Sequence, residues 1–124
     1  MKGPYIAEYD YPESIGVDPK YNAGSVRSSH PIPRSCDVYY FEMKVIYGGE
    51  ASTMAIGLTT QGSKLKRLPG WDNPTIGYHG DDGHVYNGFT TGKDYGKAFS
   101  TGDVVGCGID LESNTVFFTK NGKS

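Results

Sequence analysis

The densest set of groups able to do chemistry lies at His79, Asp81, Asp82 and His84, in the run Y-H-G-D-D-G-H from Tyr78 to His84. Two imidazoles and two carboxylates this close could ligate a divalent metal, and a metal-dependent hydrolase is the enzyme they would serve. The local pattern argues against it. Asp82-Gly83 is a turn dipeptide, and neighbours along a strand point to opposite faces. Neither a cysteine nor a distant histidine completes a tetrahedral set. The expectation is no metal and no other cofactor, with Asp81 or Asp82 capping loop amides. A nucleophilic triad from Ser29, His30 and Asp37, or from His79 with any serine, lacks the strained G-x-S-x-G elbow. Gly102 to Gly108 matches no phosphate loop, and no helix follows to offer its N-terminus. No enzymatic activity is expected.

Two loops carry groups suited to recognition instead. Ser28 to Ser35 reads S-S-H-P-I-P-R-S, and its two prolines each fix φ and restrict the preceding residue, giving a stiff, extended loop. A rigid loop loses little entropy when a partner binds. Gln61 to Arg67 exposes Lys64, Lys66 and Arg67.

The elements that must position these groups read as strands. Arg67 to Gly83 holds the only tryptophan and is bracketed by turn signals at Pro69-Gly70 and Asp82-Gly83, which predicts loop, buried strand through Ile76 and Tyr78, then hairpin turn. Trp71 should pin that loop onto a sheet, and Trp71 and Tyr78 are both expected in the core. Val38 to Tyr47 alternates, with Tyr40, Glu42 and Lys44 on one face and Phe41, Met43 and Val45 on the other. Gly48-Gly49 follows, so Thr53 to Thr59 is expected to return beside it as a hairpin. Ala23 to Arg27, His84 to Asn87, Val104 to Leu111 and Thr115 to Lys120 complete the strands, with Gly88 to Ala98 a connector. Asn121-Gly122 is a preferred hairpin dipeptide, yet the sequence stops at Ser124. The expectation is a fragment, or a strand supplied by another chain through exchange or pairing at the C-terminal edge.

Composition agrees. The 124 residues suit one domain, and 18 glycines, 7 prolines and 10 tyrosines favour short strands and many turns. A net charge of −2 gives no field for phosphate backbones or membrane surfaces, so neither nucleic acid nor membrane is expected as a partner. Two cysteines, Cys36 and Cys107, make no disulfide framework and read as buried thiols, which points to a reducing, cytoplasmic compartment, with the nucleus a further option.

Taken together, H-P-I-P at 30–33, Y-Y-F-E at 39–42, A-I-G-L at 55–58, R-L-P-G-W-D at 67–72, Y-H-G-D-D-G-H at 78–84, T-G-D-V-V-G-C-G at 101–108 and F-F-T-K-N-G at 117–122 resemble a SPRY domain of the RanBPM (Ran-binding protein) type. The resemblance covers 25–124, after an N-terminal lead-in over 1–24. It implies an all-β fold, a bent sandwich of two antiparallel sheets lacking its C-terminal strand or strands, and a non-enzymatic module that binds a protein or peptide through loops at one end. Carried over by position, it implicates Ser29, Pro31 and Arg34 from one loop and Lys66, Arg67 and Leu68 from the other. The two guanidinium forks would grip carboxylates or peptide carbonyls, and Pro31 and Leu68 would add apolar contact. The competing reading of Arg34, Lys66 and Arg67 is plain solvated charge. By the same resemblance the parent protein is an adaptor in a ubiquitin-ligase complex; the alternative is a secreted effector built on this module.

Overall fold

The structure, a computed structural model, describes residues 27, 28, 31–33, 35, 37–47, 54–60, 62, 68–89 and 91–124. Among these, every helical or extended element is a strand: β1 Val38–Lys44, β2 Ala55–Leu58, β3 Ile76–His79, β4 His84–Tyr86, β5 Lys93–Asp94, β6 Val104–Asp110 and β7 Thr115–Lys120. They form two antiparallel sheets, ordered β1-β6-β7 and β2-β3-β4-β5. The expected all-β sandwich is therefore what the chain adopts.

The alternation in β1 sorts its side chains as expected. Phe41, Met43 and Val45 face the core, where Val45, Ile56, Tyr78, Phe99, Val105, Cys107 and Phe118 are buried between the sheets. Tyr40 on the opposite face lies stacked against Phe117, ring centroids 6.0 Å apart, and its hydroxyl is 2.6 Å from Thr119 Oγ1. Tyr78 is 2 % exposed and packs against Phe99 at 4.9 Å and Phe118 at 5.7 Å, which joins the sheets through one aromatic cluster. Tyr95, just past β5, ties the two sheets at their edges: its hydroxyl accepts from the Phe118 amide at 2.9 Å and donates to the Phe118 carbonyl at 3.1 Å. Cys107 is a buried free thiol whose pKa burial pushes up to about 12. Cys36 lies outside the described residues.

Strand pairing departs from expectation at one point. Val38 to Tyr47 and Thr53 to Thr59 do not form a hairpin, because β1 pairs along all seven residues with β6, whereas β2 pairs with β3 in the other sheet. A seven-residue partner satisfies a longer ladder of β1 amides and carbonyls than the four-residue β2 could. Inside the Gly88 to Ala98 connector, Lys93–Asp94 forms a short edge strand against β4. The expected Ala23 to Arg27 strand lies outside the described residues apart from Arg27, which is not extended into a sheet.

The turns predicted at Pro69-Gly70, Asp82-Gly83 and Asn121-Gly122 form where expected, and Gly48-Gly49 lies outside the described residues. Asp110 Oδ1 accepts from the amides of Glu112 and Ser113 in the β6-β7 turn, and Asn114 takes φ 55°. After β7, Asn121 and Gly122 take φ 52° and 83°, the two positive values of a type I′ turn, and Lys123 pairs back with Lys120.

Candidate functional site

Four segments meet at one end of the four-stranded sheet. β2 and β4 both finish where β3 begins, so Thr59–Thr60, the loop leading into β3 and the Asn87–Thr91 loop share that end. Arg27 joins them by donating from Nη1 to the Thr60 carbonyl at 3.1 Å.

The loop Leu68–Thr75 is folded back over the outer face of the sheet. Pro69 at the second position and Gly70 at the third, with φ 101°, form a type II turn closed by the Trp71 amide on the Leu68 carbonyl. The Gly70 amide donates to Thr75 Oγ1 at 2.8 Å, and the Gly88 amide donates to the Gly70 carbonyl at 2.7 Å, which ties the loop to the one after β4. Beneath it, Gly77 leaves the room the loop occupies. A Cβ there would lie 2.2 Å from the Pro69 carbonyl oxygen.

His79 holds this loop from below. It is buried, and its Nε2 lies 2.8 Å from the Pro69 carbonyl, so that nitrogen carries the proton and donates. Its ring stacks on Tyr86 at 3.9 Å and meets Trp71 at 5.8 Å. Burial lowers its pKa, so it acts as a neutral hydrogen-bond donor. Trp71 is half-buried on this outer face; it pins the loop as expected but stands outside the core that Tyr78 occupies. The reason is topological: the loop crosses the sheet on the face opposite Tyr78, over His79 and Gly77.

The acid-histidine run resolves into separate tasks. Asp82 Oδ1 accepts from the His84 amide at 2.9 Å, the capping role expected of it, and Oδ2 accepts from the Tyr86 hydroxyl. Burial works to raise its pKa, but these donated bonds and the two histidines prevail and hold it below the usual carboxylate range. Burial and the Asp82 carboxylate push Tyr86 up to about 12. His84 Nε2 lies 2.7 Å from Asp94 on β5, and Asp94 is almost wholly in solvent, so this pair adds little stability. Among the described residues no group of three or more His, Cys, Asp or Glu side chains is placed to hold a metal.

Of the residues implicated by resemblance, Ser29, Arg34, Lys66 and Arg67 lie outside the described residues. Pro31 is exposed. Leu68 is only 8 % exposed, which suits an anchor for its loop more than a contact to a partner. A residue that sequence reasoning passed over is Phe89. It is 72 % exposed on the Asn87–Thr91 loop, at the same end. The available signal was an aromatic set between Gly88 and Thr90-Thr91-Gly92, a turn-rich run with no alternation to bury it.

Comparison with known proteins places this geometry. The chain is 56 % identical over 103 residues to Ran-binding protein 9 of Xenopus tropicalis, covering 83 % of this chain and 19 % of that protein. It is 50 % identical over 101 residues to the Ran-binding proteins 9/10 homolog of Drosophila melanogaster, covering 82 % and 10 %. The chain therefore spans less than a fifth of the length of these curated relatives. A crystal structure of a human SPRY domain superposes with a TM-score of 0.65 at 42 % identity, covering 68 % of this chain and 56 % of that one. The SPRY domain model matches residues 38–124. Spanning both sheets and the loops between them, that match shows that the chain belongs to the SPRY domain family.

Proposed function

We propose that this protein-interaction module takes a peptide or a partner surface on the loops at one end of its four-stranded sheet, in a scaffold related to Ran-binding protein 9. The observation that carries the reading is the convergence of Arg27, Thr59–Thr60, Leu68–Thr75 and Asn87–Thr91 on a base tied by hydrogen bonds from the Arg27 guanidinium to the Thr60 carbonyl, from the Gly70 amide to the Thr75 hydroxyl and from the Gly88 amide to the Gly70 carbonyl. A base already ordered spends little of the contact energy on immobilisation. Ser29, Pro31, Arg34, Lys66 and Arg67 would make the contacts, with Leu68 seating its loop. Arg34 and Arg67 give the site its preference for carboxylates or amides through the planar guanidinium. Service as an adaptor in a cytoplasmic ubiquitin-ligase assembly is part of the same proposal, supported by the relationship to the Ran-binding proteins.

The test is affinity capture with mass spectrometry, comparing the unaltered chain with Arg34→Ala and Arg67→Ala. Selective loss of one partner, with thermal stability unchanged, is the expected result. Equal recovery of every partner by all three proteins would reject the site.

A further inference from the structure

We infer that Asn87-Gly88 is a site of spontaneous modification, and that the hydrogen bond mooring the Leu68–Thr75 loop sets its rate. Asparagine ahead of glycine loses its side-chain amide in water, because no Cβ shields the glycine nitrogen. That nitrogen attacks Cγ, ammonia leaves, and water opens the resulting succinimide to aspartate or to isoaspartate, whose main chain runs through the former side-chain carbonyl. The chain has five asparagines, and two of them, Asn87 and Asn121, precede a glycine. Each is locked in a different way.

Asn87 is exposed, and among the described residues no hydrogen bond fixes its carboxamide. What is withheld there is the nucleophile. The Gly88 amide donates to the Gly70 carbonyl at 2.7 Å, and Gly88 is held at φ 87° against Asn73. Attack requires this nitrogen to shed its proton and swing toward Cγ, and both movements break the bond. At Asn121 the electrophile is withheld instead. Oδ1 accepts from the Val104 amide at 2.9 Å and Nδ2 donates to Asp103 Oδ1 at 3.0 Å, so Cγ turns toward Gly122 only by giving up both. The first lock belongs to the outer loop, the second to the start of β6. Conversion at Asn87 is one-way: isoaspartate adds a methylene to the main chain just ahead of Gly88, which carries that amide off the Gly70 carbonyl and leaves a carboxylate on the loop of Phe89. A release of the outer loop is thereby recorded in the covalent structure.

The test is incubation of the 124-residue chain in mildly alkaline buffer, followed by peptide mapping for the mass gain of amide to acid at each site. In the native chain both sites should convert slowly, and in urea both should convert fast. Thr75→Val removes the hydroxyl that accepts from the Gly70 amide and donates to the Asp72 carbonyl. It should speed conversion at Asn87 about tenfold, the equivalent of one hydrogen bond, and leave Asn121 unchanged. Gly77→Ala, which lifts the loop from beneath, should act alike. Asp103→Ala should do the reverse, speeding Asn121 alone. Conversion at Asn87 as fast in the native unaltered chain as in urea would overturn the inference, since the Gly88 bond would then protect nothing. So would folded loop variants in which Asn87 is no faster, or in which both sites quicken equally and opening of the whole domain is what governs.

Discussion

Replacing Gly77 by alanine should loosen the outer loop while leaving the sandwich intact. The added Cβ would sit 2.2 Å from the Pro69 carbonyl oxygen and 2.8 Å from its carbon, both main-chain atoms that no rotamer change can move. Restoring van der Waals separation needs a shift of about 1 Å or more. A shift away from the sheet lengthens the bond between His79 Nε2 and Pro69 O, now 2.8 Å, past the useful range. Leaving a buried imidazole donor without its acceptor costs about 1–3 kcal/mol, and overpacking a tight site costs about 1–3 kcal/mol. Because one movement relieves the clash and breaks the bond, the two overlap, and about 2–3 kcal/mol is expected, or a Tm lower by roughly 8–15 °C. Trp71, the only tryptophan, lies against His79 and reports the loop directly. Its emission should shift to the red in the folded variant while the far-ultraviolet circular dichroism keeps its β signature. Unaltered emission together with an unaltered urea midpoint would refute the argument that Gly77 is required by the approach of Pro69.

Three further outcomes follow from the same geometry. His79 is held below its ordinary pKa of 6.5 by burial, so the unfolded chain takes up the proton first; stability should fall as pH drops from about 6.5 toward the folded pKa, and His79→Gln should flatten that slope in urea titrations. Cys107, with its thiol pushed up to about 12, should resist iodoacetamide at pH 8 until denaturant is added, as peptide mapping that separates it from Cys36 would register; labelling in the native protein would contradict its burial. Phe118→Ala removes the ring that joins β7 to Tyr78 and Tyr95 and should cost about 3–5 kcal/mol by denaturant unfolding, whereas a cost below 1 kcal/mol would mean the aromatic cluster is not where the sheets are held together.

Local chemistry was legible and partnership was not. The alternation from Tyr40 to Val45, the Asp82-Gly83 turn and the Asn121-Gly122 turn each depend on a few neighbouring residues, and each appears as read. Pairing depends on segments far apart in sequence, so the Gly48-Gly49 signal favoured a β1-β2 hairpin, whereas β6, about sixty residues on, offered the longer ladder. Trp71 shows the limit of reading size as depth. Its surface did fix the loop, but on the face of His79 rather than among Tyr78, Phe99 and Phe118. Phe89 shows the converse: composition groups it with the other aromatics of the connector, although Tyr95 meets the core while Phe89 stands in water.

The Leu68–Thr75 loop is moored chiefly through Pro69 O, Gly70 N and Gly70 O, atoms every residue possesses. Side chains on the flanking stretches can therefore drift from one descendant to the next with no loss of the mooring. Such a frame absorbs surface substitutions on those stretches while keeping its architecture throughout.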